Sequence, residues 1–403
     1  MDRHPGLTRW LSLPAGAALA CTLLGCYRYR DRQAYPGTYT AAVAAVDLNG
    51  DGRTDLLGAN QPAWGDGGFV TARLQDPAQP AGLGAPLRSA AGSGPASLAV
   101  MAPGGTVVVI NQTAWAGSQA ANSVSVLLPG TAPGTFQAPM ALTLGVRVPW
   151  DAAVGSLGPG GGADVAVAAD GGSDLLVFFQ GAGPGSYGPP VSLAVGGVPT
   201  AVTMADLDGD GLADLAVATT GNLVSVLLQD PAHPGSFLPY ADYAAGSFPV
   251  AVRAAALGGG LPDLFVADYG GGSAPTTLGL GILAHDPAHP GVFLPLTSYD
   301  VGDYLSCSVA VGDLDGDGRP DVAVANLGLL GAPGSVSVLF QEPGGSLGSP
   351  GVYGGVYGPS SVAIGDFNGD GLADLAIADG GAAIRFQLAG QPGVFGPEVG
   401  YAQ

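Results

Sequence analysis

Basic residues and cysteines are scarce in this chain of 403 residues, and helical periods of useful length are missing from it. Only 12 Lys+Arg stand against 32 Asp+Glu, for a formal charge of −20. Such a chain repels nucleic acid and acidic lipid surfaces, so neither is an expected partner. The cysteines are Cys21, Cys26 and Cys307, too few and too ill-placed for a disulfide framework. Cys307 opens an apolar run with no histidine near it in sequence, and reads as a small buried residue. No G-x-S-x-G, zinc-binding or phosphate-loop motif occurs. His233 and His289 sit in matching Asp-Pro-Ala-His-Pro-Gly turns and read as turn punctuation. An enzyme is therefore not expected.

Glycine and proline are abundant, at 70 and 34 residues, yet apolar residues still make up 47%. Disorder is excluded because short apolar runs recur throughout the chain. Many short strands joined by tight turns fit the composition instead.

The N-terminus has the form of an export signal. Arg3 and Arg9 precede a mostly apolar stretch, residues 10–25, that is too short for a comfortable membrane span. It ends in Leu23-Leu24-Gly25-Cys26, which resembles the bacterial lipobox. That resemblance implies a signal peptide over 1–26, lipid on Cys26 and a short linker over 27–38. It also implies an exported lipoprotein of the cell envelope, attached through its lipid to the outer membrane and facing the periplasm or the surface. Tyr27 follows in place of the aspartate that signals inner-membrane retention.

From residue 39 onwards a repeat dominates. A glycine followed closely by an aromatic or leucine precedes a proline seven times. The second members are Leu83, Phe136, Tyr187, Phe237, Phe293, Leu347 and Phe395, spaced 48 to 56 residues apart. Between these landmarks each repeat offers four short apolar or alternating runs separated by turn residues. The pattern predicts an all-β, seven-bladed β-propeller over 39–403 with four-stranded antiparallel blades. A β-solenoid usually has shorter repeats. Independent fifty-residue domains without metal or disulfide make poor cores.

Four repeats carry an acidic loop of the form D-x-[DN]-G-D-G-x-x-D. Oxygens at positions 1, 3 and 5 converge when such a loop curls, and glycine at position 6 permits the sharp turn. The candidate ligands at positions 1, 3 and 5 are Asp47, Asn49 and Asp51 in the first loop, and Asp206, Asp208 and Asp210 in the second. Asp313, Asp315 and Asp317 hold these positions in the third loop, and Asp366, Asn368 and Asp370 in the fourth. Position 7 offers the backbone carbonyl of Arg53, Leu212, Arg319 or Leu372, and position 9 adds Asp55, Asp214, Asp321 or Asp374. Hard oxygens without His or Cys favour calcium, with a structural Ca2+ at each of four sites. Carboxylates about 4 Å apart repel by roughly 1 to 4 kcal/mol per pair, so the folded loop calls for a cation. Position 12 is apolar or glycine in every loop, which excludes the helical continuation of an EF-hand or dockerin.

These loops and their spacing resemble the FG-GAP or VCBS repeat, as in the integrin α-subunit propeller and many bacterial surface proteins. Repeats 2, 3 and 5 depart from the pattern. Repeat 3 keeps only Asp164, repeat 5 only Asp263 and repeat 2 no acid, so no calcium is expected there. The resemblance implies that calcium loops join strands one and two on one rim, leaving the opposite face for ligands. Trp64, Trp115 and Trp150 map to that face, with Asn60, Gln61, Asn111 and Gln112 beside the first two. Together they suit a glycan or a protein's apolar anchor. A monomeric adhesion or binding module is the expected function. The alternative is a lectin or a polysaccharide-lyase-like enzyme on the same scaffold, for which Arg147 and Arg253 are the basic candidates.

Overall fold

A computed structural model describes residues 38–401 except 63–66, 77–81, 103–104, 113–121, 146, 159, 259, 271–277, 330–331 and 357. The signal segment, Cys26 and the linker to residue 37 lie outside the described residues, as do Trp64 and Trp115. Seven four-stranded antiparallel sheets follow one another, each a simple meander of consecutive strands. The first strand of blade 1 starts at Tyr39 and the last of blade 7 ends at Tyr401.

Burial within a blade follows from its place in the ring. First strands, such as Pro199–Ala205, surround the axis, and each packs beside the first strands of its neighbours. Second strands lie between two neighbouring blades and are buried on both faces. Asp164–Ala169, Asp214–Thr219 and Asp321–Asn326 are buried at every residue. They accordingly read as nearly continuous Val and Ala and lack the alternation of a half-wet sheet. Fourth strands, such as Val191–Ala194, are mostly exposed.

The core is therefore seven wedges, each an apolar cluster shared by two adjacent blades. One contact recurs in six of them. The apolar residue at position 2 of the loop after the first strand joins the cluster that contains the next blade's glycine-aromatic landmark. Leu207 shares a cluster with Phe293, Leu157 with Phe237, Leu314 with Phe395, and Phe367 with Leu83. The same holds for Leu257 with Leu347 and Leu48 with Phe136. The landmark's glycine is needed at these seams. At Gly82 (φ +70°) a Cβ would lie 2.2 Å from the Phe367 carbonyl oxygen of the preceding blade.

Blades 7 and 1 close the ring without exchanging a strand. Phe367 and Leu83 meet there as at the other seams. Gln75 Nε2 donates to the Asp366 carbonyl (2.9 Å), Ser360 Oγ to the Ala41 carbonyl (2.9 Å), and the Thr40 amide to the Gly380 carbonyl (3.2 Å).

The fully buried Phe367 gives this seam its test. Phe367→Ala is expected to destabilise the protein by about 3–5 kcal/mol in denaturant unfolding. Val191→Ala, on an exposed outer strand, is expected to cost no more than about 0.5 kcal/mol. Equal effects would show that the seam does not hold the ring.

Candidate functional site

The four acidic loops have one architecture. In the second, the Gly209 and Gly211 amides donate to the two oxygens of Asp206 (2.7 and 3.0 Å). The Asp210 amide donates to Asp208 (3.1 Å) and the Leu212 amide to Asp210 (2.8 Å). Loop three repeats these bonds with Asp313, Asp315 and Asp317. Both loop glycines have positive φ, 82° and 86° at Gly209 and Gly211. A Cβ at Gly211 would meet nothing within 4 Å, so backbone conformation, not space, requires glycine there.

Oxygens of Asp206, Asp208 and Asp210 lie within 4.8 Å of one another, as do those of Asp313, Asp315 and Asp317. Three pinned carboxylates converging on one point, with no sulfur or imidazole among them, fit a hard divalent cation. In loops one and four the position-3 residue is asparagine. Asn49 and Asn368 there donate Nδ2 to Asp51 and Asp370 (3.1 and 3.0 Å).

Position 9 has a second role, one the loop pattern does not suggest. Asp55, Asp214, Asp321 and Asp374 are wholly buried. One oxygen of each accepts the position-2 amide, from Leu48, Leu207, Leu314 or Phe367, at 2.8–3.0 Å. The other accepts an amide at the end of the third strand, from Gln75, Gln229, Gln341 or Gln387, at 2.7–2.8 Å. Asp164 and Asp263 make the same pair of bonds in blades 3 and 5, whose loops have lost their other acids. The buried aspartate is thus a structural clamp with or without a metal beside it. Burial pushes the Asp214 carboxyl up to about 6 and that of Asp374 to about 7, and it also raises Asp55 and Asp321. A cation next to these groups opposes that shift.

Two position-7 side chains are also engaged. Beyond any carbonyl role, the Arg53 side chain pairs with Asp51 (3.3 Å), and Arg319 contacts Asp317 while donating Nε to the Gln341 carbonyl (3.0 Å). Two loops therefore carry a built-in cation on the position-5 carboxylate, where Leu212 and Leu372 leave the others bare.

On the opposite face the amide platform is not available. Asn60 and Asn111 are fully buried. Asn60 donates to the Gly58 carbonyl and Thr71 and accepts from Thr40, while Asn111 donates to Ser123 and Ser125. Asn326 does the same in blade 6 with Ser335 and Ser337. These asparagines tie strands of their own blades together. Gln112 donates to the Pro149 carbonyl of the next blade (2.6 Å), and Gln61 is half-buried.

Trp150 lies instead at the axis. First strands of six blades carry one extra residue near their start, which slips the register by one. Trp150 and Cys307 are such residues, both half-buried and both lining an axial channel of about 460 Å³ framed by all seven first strands. Cys307 thus lines the channel while also packing against two core clusters. Arg147 is held by Asp174 in a two-pronged pair (2.8 and 3.1 Å) that keeps that carboxyl below its usual range. His233 and His289 bond Asp230 and Asp286 within exposed turns, and His285 pairs with Asp263 (3.1 Å).

These features define a seven-bladed propeller with acidic, glycine-shaped loops after the first strands of four blades. The chain matches the FG-GAP-like repeat at 161–217 and 257–324 and the FG-GAP repeat at 358–386, and carries those repeats on this fold. The fold is shared with a solved structure of Kuenenia stuttgartiensis hydrazine synthase, at 17% identity and a TM-score of 0.50. That match covers 73% of this chain and 77% of the other. No curated protein matches the chain.

The position-7 arginine has a measurable consequence. Exposed ion pairs are worth about 0.2–1 kcal/mol, so Arg319→Leu is expected to tighten calcium binding at its loop by about two- to fivefold in a calcium titration. Weaker binding in the variant would mean that the arginine shapes the site and does not compete for it.

Proposed function

We propose that this protein is a calcium-stabilised, monomeric binding module of the bacterial cell envelope, anchored through lipid on Cys26. Its ligand, a glycan or a protein, is taken on the face opposite the calcium rim. Calcium there is structural. The observation that carries the reading is the convergence of Asp206, Asp208 and Asp210, and of Asp313, Asp315 and Asp317, in turns shaped by paired glycines. FG-GAP repeats often bind calcium, and their propellers are commonly binding or adhesion scaffolds. A binding role is favoured over catalysis because the described histidines and Arg147, though not Arg253, are engaged structurally. Each of the three described histidines is paired with an aspartate, and Arg147 is fixed by Asp174.

A chelator tests the metal. It is expected to lower the thermal midpoint strongly, with calcium and not magnesium restoring it. At a hundredfold excess over Kd each site contributes about 2.7 kcal/mol. An unchanged midpoint refutes the metal assignment.

A glycan and protein array, run beside activity assays on acidic polysaccharides, tests the ligand face. Trp64→Ala and Trp115→Ala are expected to abolish array binding while leaving the midpoint nearly unchanged. Turnover of a polysaccharide would instead favour the lyase-like alternative, and unfolding of both variants would make these tryptophans packing residues.

A further inference from the structure

Arg253 differs from the other arginines in its surroundings. It lies on the first strand of blade 5, Pro249–Ala255, and lines the axial channel with its side chain 40% exposed. Its Nη1 donates to the Val252 carbonyl (2.9 Å) and stands 3.7 Å from Asp151 Oδ2. That separation is well beyond the roughly 2.7–2.9 Å of a charge-assisted hydrogen bond. Asp151 is already engaged. It accepts from Ser97 Oγ (3.1 Å) and from the Val202 amide (3.3 Å), and is 7% exposed. Among the described residues, Nε and Nη2 of Arg253 make no hydrogen bond, so most of the guanidinium fork is open to the channel.

Trp150 precedes Asp151 and lines the same channel. It stands near the start of its strand, at the end of the channel away from the calcium loops. Arg253 reaches to the level of Asp151, the residue that follows Trp150, and both Arg253 and Trp150 line the channel. The remaining walls are mostly small side chains, and the channel's volume of about 460 Å³ falls in the range of roughly 300–1,000 Å³ typical of small-molecule sites.

We propose that this mouth binds a small ring-shaped monocarboxylate of the uronic-acid class. Its carboxylate is received by the Arg253 fork and its ring face by Trp150. An open planar fork matches a carboxylate's two oxygens, and an indole face suits the apolar face of a ring. One arginine beside Asp151, in a chain of formal charge −20, suits a single negative charge and disfavours a phosphate. The inference rests on the reading of this face as the ligand-binding one.

The test is titration calorimetry of the full chain in calcium with glucuronate, glucose and acetate. Glucuronate is expected to bind, and glucose and acetate to bind at least about tenfold more weakly. Arg253→Gln is expected to lose glucuronate at least about tenfold. Trp150→Ala is expected to bring glucuronate down to the level of acetate. Thermal midpoints should stay at the wild-type value; if Arg253→Gln does not fold, Arg253→Lys keeps the charge without the fork and serves in its place. Absence of glucuronate binding by the folded wild type, equal affinity for glucose, or undiminished binding in the arginine variant would overturn the proposal. Array binding that survives Arg253→Gln leaves the wider binding reading standing and removes this one.

Discussion

A buried carboxylate at the foot of the second strand governs how one blade meets the next. In six blades it grips the position-2 amide with one oxygen and the end of the third strand with the other. The position-2 side chain is thereby aimed into the neighbouring wedge, where it lies with that blade's leucine or aromatic landmark. Burying a carboxylate is costly unless both its oxygens are satisfied, and two backbone amides supply that. The acidic loop is then an elaboration of a clamp that also stands without it. Blades 3 and 5 have the aspartate and its bonds without any other acid in the loop.

Much of this architecture was legible in the sequence because it is periodic. Seven landmarks, four apolar runs between them and the four acidic loops fix the blade count, the strand count and the metal-loop candidates. Contacts between repeats were not legible. Leu207 and Phe293 lie in adjacent copies of one pattern, and periodicity cannot distinguish a partner in the same repeat from one in the next. Asn60 and Asn111 were misread for another reason. Asparagine after an apolar run looks like a surface cap, whereas here it is buried against hydroxyls. The signal that could have found this is the third strand, where Thr71, Ser125 and Ser337 interrupt apolar runs in matching registers. The lone Asp164 and Asp263 likewise pointed to a structural use of position 9.

The ring divides its labour unevenly. Blades 1, 4, 6 and 7 carry the complete acidic loops. Ser97, Asp151 and Arg253, the polar network of the channel, come from blades 2, 3 and 5, which lack them. The acidic loops and this polar network thus sit on different blades, while six of the seven seams share one contact.

The even number of strands per blade settles how the ring can be held. A first strand runs from the open mouth toward the rim of the acidic loops, and a fourth strand returns. Tyr39 pairs with Gln61 and Tyr401 with Ala382, so both ends of the ring emerge on the face that carries the mouth of the channel. Anything joined to either terminus is joined on that side. With an anchor at Cys26, the twelve residues 27–38 reach at most about 40 Å when fully extended. Under that proposed anchor, a tether so short would keep the mouth on the membrane side and the acidic loops on the far side, so a ligand would have to enter through the gap between protein and bilayer.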